Sequence, residues 1–137
     1  MTRIDFYQLP AQQHNHDRVV CQLCQKAYDS NQLTLLLTQT PEQSKHLDRQ
    51  LWIFNDDSFV PHDIEESDDF KTPVLIQNEP EPRGDRQLLI NLSNKIPGYF
   101  AQFERVIELV TEDNKQQARE HYNYYRERGY PLKHYNL

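Results

Sequence analysis

The chain has 137 residues, of which 26% are charged and 36% hydrophobic; it carries one Trp, eight Tyr and six Phe and has a formal net charge of -6. That length and balance predict one compact domain over residues 1–137, with a core large enough to fold without disulfides or metal, and the aromatic content excludes a disordered chain. The negative charge excludes a protein that coats bare nucleic acid through a broad basic surface.

In chain order, Ile4, Phe6 and Leu9 alternate with polar residues until Pro10, the period of a half-buried first strand. From about residue 14 to 28 the apolar spacing becomes helical, and Asp29, Ser30 and Asn31 end it with turn formers. Residues 33–37, LTLLL, are too apolar and too short for anything but a buried strand. Thr40, Pro41 and Gln43 form a helix start with a capping box, and that helix is expected to run to about Ile53. Residues 55–72 hold Asp56, Asp57, Asp63, Glu65, Glu66, Asp68 and Asp69, a density of like charge that predicts a solvated loop. Two apolar runs, 74–76 and 88–92, read as strands on either side of the breaker-rich QNEPEPRGDR.

After a turn at 95–99, the run 106–110 reads as a strand or a helical turn on pattern alone. Thr111 followed by Glu112 and Asp113 favours a helix start, because negative charge suits the positive end of the helix dipole. This helix is expected to end at Gly129, with Arg126 and Arg128 in its last turn and Pro131 beyond. Strands alternating with helices predict an α/β domain with helices flanking a central, mixed sheet. There is no internal repeat. No run of about 18 apolar residues occurs, and MTRIDFYQLP lacks the apolar core of a signal peptide, so a cytoplasmic protein with no membrane partner is expected.

Motifs for chemistry are missing where the fold class would place them. The glycines are Gly84, Gly98 and Gly129, and none opens a helix after a strand, so neither phosphate-binding glycine loop can be built. Cys21 and Cys24 form a C-x-x-C, but with Val20, Leu23 and Ala27 they fit one helical face and read as packing; no second ligand pair accompanies them. His14 and His16 read as exposed residues ahead of a helix, not as a metal pair, and no nucleophile is paired with a base. The reading is a protein that is not an enzyme and has no cofactor or metal.

Charge is unevenly spread. Residues 115–137 carry five Lys/Arg against two Asp/Glu, or +3, which leaves ten cations and nineteen acids, or -9, in the first 114. Lys115, Arg119, Tyr122 and Arg126 lie at i, i+4, i+7 and i+11, one stripe of the last helix. Such a stripe is either a solvated charged face or a patch for an acidic peptide. Trp52 and Phe59 flank a polar, acidic stretch near the end of the second helix, where large aromatics either roof the core or anchor a partner.

Both places carry a family resemblance. The block LDRQLWIFNDDSFVPHDI (47–64) resembles the Leu-Asp-x-x-Leu-Trp and Ser-Phe-Val-Pro-His segments of the chi subunits of bacterial DNA polymerase III. KQQAREHYNYYRERGY (115–130) resembles their C-terminal helix, and DFYQL (5–9) and LLINL (88–92) agree in order and position. The resemblance implies a mixed α/β fold like a nucleotide-binding domain without its phosphate loop, and a noncatalytic adaptor. Such an adaptor binds the acidic C-terminal tail of single-stranded DNA-binding protein and, on another face, the psi subunit that leads to the clamp loader, with DNA reached only through its partner. It further implies that Lys115 and Arg119 take the acidic groups and terminal carboxylate of the tail, and that Tyr122 and Val110 wall the slot for its final Phe. Asn123 stands where a familiar pattern has lysine, with Arg126 and Arg128 as the neighbouring cations. Trp52 and Phe59 match the psi-binding face, which also accepts a helicase-like partner. The contrasting expectation, a direct binder of single-stranded nucleic acid through the basic helix, remains open on sequence.

Overall fold

The computed structural model describes residues 1–10, 16–54, 60–65, 71–78 and 85–137. Among the described residues seven strands form one sheet: β1 (Arg3–Gln8), β2 (Thr34–Leu37), β3 (His62–Asp63), β4 (Val74–Gln77), β5 (Leu88–Asn91), β6 (Arg105–Val110) and β7 (Leu132–Asn136), in the spatial order β3-β4-β2-β5-β6-β1-β7. The α-helices among the same residues are α1 (His16–Asp29), α2 (Pro41–Ile53) and α3 (Lys115–Glu127). The expected α/β class, a central sheet flanked by helices, is what the chain forms. Its sheet differs in one respect from the mixed one anticipated, since every described pairing is parallel. Parallel strands are covered on both faces, which is why β2, β4 and β5 are apolar almost throughout instead of alternating.

Two apolar layers result. Under α1 and α2, Val20, Cys24, Leu47 and Leu51 pack on Leu36, Ile76, Ile90 and Ile107. On the other face Leu35, Leu75, Leu89 and Val106 meet Phe100, Phe103 and Tyr125. Side chains alternate across β6, so Ile107 and Leu109 enter the first layer while Val106 and Val110 enter the second. Cys21 and Cys24 are buried free thiols of α1. Burial and, secondarily, Asp17 push the Cys21 thiol up to about 11, and burial with Cys21 nearby raises Cys24, so both pack as neutral side chains.

Local rules explain the helix ends. Thr40 caps α2, its side chain accepting from Gln43 N at 3.1 Å, with Pro41 at the first helical position. The box is shifted by one residue: Gln43 Oε1 accepts from Gln39 N at 2.7 Å. A single 3-10 turn, Glu112–Asn114, precedes α3 after Thr111, so the α-helix proper starts later than the acidic pair implied. At the far end Tyr130 N donates to Tyr125 O and Gly129 N to Arg126 O, with Gly129 at φ +79, a Schellman closure that only a glycine adopts without strain. It turns the chain into β7, which the sequence reading did not anticipate. Also unanticipated is β3, a two-residue strand inside the expected acidic loop.

Candidate partner-binding cleft

Helix α3 has an inward and an outward face. Inward, His121 and Tyr125 lie one turn apart and are buried against Glu108 of β6. Tyr125 Oη donates to Glu108 Oε2 at 2.7 Å, Asn91 Nδ2 donates to the same oxygen at 3.0 Å, and His121 Nδ1 is 3.0 Å from Oε1. A carboxylate in an apolar layer requires such donors. Burial alone would lower the basicity of His121, but the hydrogen bond and charge of Glu108 outweigh it and the value rises. Burial, then Glu108, raises the Tyr125 phenol, which therefore stays a protonated donor. This polar anchor fixes the rotation of α3 about its axis and so the direction of its outer face.

Outward, that face borders a cleft of about 310 Å³ lined by Phe6, Gln8, Val110, Lys115, Ala118, Arg119, Tyr122 and His134. Four residues singled out from sequence, Val110, Lys115, Arg119 and Tyr122, thus come together. The floor is apolar. Phe6 meets Tyr122 edge to face with ring centroids 5.5 Å apart. Lys115 and Arg119 are exposed on the helix rim, and Lys115 Nζ lies 3.1 Å from Glu112 Oε2. The cleft thus offers an apolar seat beside cationic groups, the pairing that suits an acidic peptide with an apolar side chain.

Asn123, Arg126 and Arg128 are not part of that lining. Arg126 sits over the Tyr122 ring, 5.9 Å from its centroid, and donates to Asn123 Oδ1 at 3.1 Å. Arg128 lies 3.5 Å from the centroid of Tyr124 and donates to the Tyr124 carbonyl. The lining also holds residues the sequence reading did not select. Ala118 and Phe6 were legible, since Ala118 is i+3 from Lys115 and Phe6 belongs to the first strand's apolar set. Gln8 shares Phe6's face by strand alternation. His134 carried no signal, because it arrives on β7.

A second surface lies at the opposite edge of the sheet. Trp52 is 61% and Ile53 71% exposed at the end of α2, and Ile64 beside β3 is 42% exposed. Trp52 meets His62 edge to face at 5.5 Å. Phe59 lies outside the described residues. Large apolar groups standing this far into solvent at neighbouring positions have the character of an anchor surface.

At the C-terminal ends of β5 and β6, where parallel α/β sheets usually bind ligands, side-chain amides tie the loops to one another. Asn94 N donates to Gln39 Oε1 at 2.7 Å, Gln117 Nε2 to Ser93 O at 3.1 Å, and Asn114 Nδ2 to Leu109 O at 2.9 Å. Among the described residues, no group of three or more His, Cys, Asp or Glu side chains is placed to hold a metal ion. No helix among them is long and apolar enough to cross a membrane.

Fold and cleft together define an α/β protein whose open cleft, rimmed by cations, lies between an outer helix and the β7 edge of the sheet. The chain belongs to the chi subunit family of DNA polymerase III: the family model described as "DNA polymerase III chi subunit, HolC" matches residues 1–133. It is 39% identical over 140 residues to the DNA polymerase III subunit chi of Pseudomonas aeruginosa, covering 100% of this chain and 98% of that one. The subunits chi of Haemophilus influenzae and Escherichia coli are 31% and 32% identical, each across 85% of this chain and 83% and 82% of their own. The family is one of accessory subunits of the replicative polymerase, which places the chain in DNA replication.

Proposed function

We propose that this chain is a noncatalytic adaptor of DNA polymerase III, acting in the cytoplasm as one chi-like domain of residues 1–137. In this reading its cleft binds the acidic C-terminal tail of single-stranded DNA-binding protein, and its Trp52 surface binds psi, or a helicase-like protein in psi's place, and thereby the clamp loader. The observation that carries the reading is the convergence of Lys115, Arg119, Tyr122 and Val110 on one cleft with an apolar floor. Lys115 and Arg119 meet the tail's carboxylates, while Tyr122 and Val110 receive its last apolar side chain.

The magnitudes are sufficient. A hydrogen bond to a charged group contributes roughly 1.5–3 kcal/mol. Two of these with partial burial of one aromatic side chain, less ordering costs, give about micromolar affinity, near -8 kcal/mol. Several tails on one DNA-bound protein raise the effective concentration, so weak single contacts hold the polymerase machinery at its template. The sheet order supports simultaneous binding of both partners: β7 and β3 are opposite edges, six strand spacings or roughly 29 Å apart.

Fluorescence anisotropy of a labelled acidic peptide ending in Pro-Phe tests the reading. The expected result is micromolar binding that weakens with salt and is lost in Arg119→Ala. Wild-type affinity in that variant, or binding to naked single strands undiminished by competing tail peptide, refutes it and favours direct nucleic-acid binding.

A further inference from the structure

The cleft has a helix wall and a sheet wall, and they differ in what their polar groups are free to do. On the sheet wall the polar side chains are Gln8 and His134. Gln8 is committed, its Nε2 donating to the carbonyls of Leu9 at 3.1 Å and Val110 at 3.4 Å. His134 pairs in register with Phe6 across the β1–β7 ladder, so it shares Phe6's face of the sheet. It is exposed, and no hydrogen bond or ion pair joins its imidazole to another described residue. On the helix wall Lys115 is held by Glu112, whereas Arg119 has no ion-pair partner among the described residues.

We propose that His134 is a specificity-determining residue of the cleft: with Arg119 on the opposite wall it forms a two-sided donor clamp for the terminal carboxylate of an acidic peptide. The peptide's last side chain then lies between the walls on Phe6, Val110, Ala118 and Tyr122. This rests on the tail-binding reading above and adds a residue from a different element. The chemistry is direct, because an imidazole N–H donates to a carboxylate oxygen, and a planar guanidinium opposite it takes the second oxygen. A clamp of this kind distinguishes a free chain end from an internal acidic segment, which has no carboxylate at the backbone position between the walls. It also supplies a donor that Asn123, Arg126 and Arg128 do not, since none of the three lines the cleft.

The test uses the full chain with two acidic peptides ending in Phe, one with a free carboxylate and one with a terminal amide. His134→Phe keeps an aromatic ring and removes the donor, and His134→Gln keeps a donor; the position is on an exposed edge strand, and circular dichroism verifies folding. The expected result is about tenfold weaker binding of the free-carboxylate peptide by His134→Phe, the loss of one hydrogen bond to a charged group. Binding of the amide peptide stays at its wild-type level, and His134→Gln recovers part of the loss. Equal loss for both peptides, or no loss for either, overturns the clamp. Arg119→Ala separates the two claims: if it abolishes binding while His134→Phe binds as wild type, the clamp fails and the tail-binding reading stands, whereas wild-type binding by Arg119→Ala removes both.

Discussion

His121 Nδ1 lies 3.0 Å from Glu108 Oε1, with both side chains less than a tenth exposed, and this bond ties the cleft-bearing helix to the sheet. Burial opposes the imidazolium, but Glu108 favours it strongly enough to raise the His121 value above that of a free histidine. A basic group raised by folding stabilises fully below its unfolded value of about 6.5, and that contribution disappears as pH rises through the folded value. The melting temperature is therefore expected to fall as pH increases through that window. His121→Gln, which hydrogen-bonds without titrating, should flatten this part of the profile; an unchanged slope assigns it to other groups.

Tyr125→Phe isolates the other half of the anchor. The ring is fully buried and meets Phe6 and Phe100 edge to face at 6.1 and 5.3 Å, contacts that phenylalanine preserves. Only the donor to Glu108 Oε2 is removed, leaving Asn91 on that oxygen. A loss of roughly 1.5–3 kcal/mol is expected in urea unfolding, the range for hydrogen bonds to charged groups. A neutral result means that the carboxylate does not depend on the phenol.

How much of this was legible in the sequence depends on where each signal resides. Strands β2, β4 and β5 were legible because burial on both faces demands unbroken apolar runs, and α2 because Thr40 and Pro41 mark its start chemically. The run 106–110 was ambiguous on pattern and is a strand because β1 and β5 pair with it on either side. Glu108 was present in that run as a charge among apolar residues, but its partners are contributed by α3 and β5, so sequence spacing does not reveal them. β7 was missed for a different reason. Four of its five residues are exposed, and what makes it a strand is the backbone ladder to β1, which no side-chain pattern records. His134 was missed with it, whereas the α3 stripe was found because helical spacing alone aligns it.

Trp52 and Leu47 belong to the same helix and separate binding from stability. Trp52 is 61% exposed and Leu47 is 1% exposed in the layer beneath α2. Trp52→Ala should change stability by less than about 0.5 kcal/mol, as exposed substitutions do, and Leu47→Ala should cost roughly 2–5 kcal/mol. If the Trp52 surface anchors psi, Trp52→Ala weakens capture of psi by isothermal titration calorimetry with the tail affinity unchanged. A substantially destabilised Trp52→Ala shows instead that the indole roofs the core.

Glu112 competes with any acidic ligand for Lys115. The Lys115 Nζ to Glu112 Oε2 distance is 3.1 Å, and both side chains are 47% exposed, so the pair is solvent-screened and contributes little to stability, on the order of 0–1 kcal/mol. An incoming carboxylate that uses Lys115 has to displace Glu112, and a fixed negative charge beside the rim repels any acidic peptide as a whole. Glu112→Gln removes both effects without touching the cleft lining, so tail affinity should rise up to about fivefold at low salt, the equivalent of that same small pair energy. The gain should shrink as salt shortens the screening length to below about 10 Å. Asp113→Asn is the matched control: it removes an equal charge from the same 3-10 turn, but Asp113 forms no ion pair with Lys115, so only the longer-range repulsion is relieved. Equal gains in the two variants would mean that Lys115 acts through the general field of the rim and does not bind a carboxylate directly. A larger gain in Glu112→Gln places a ligand oxygen at Lys115 Nζ.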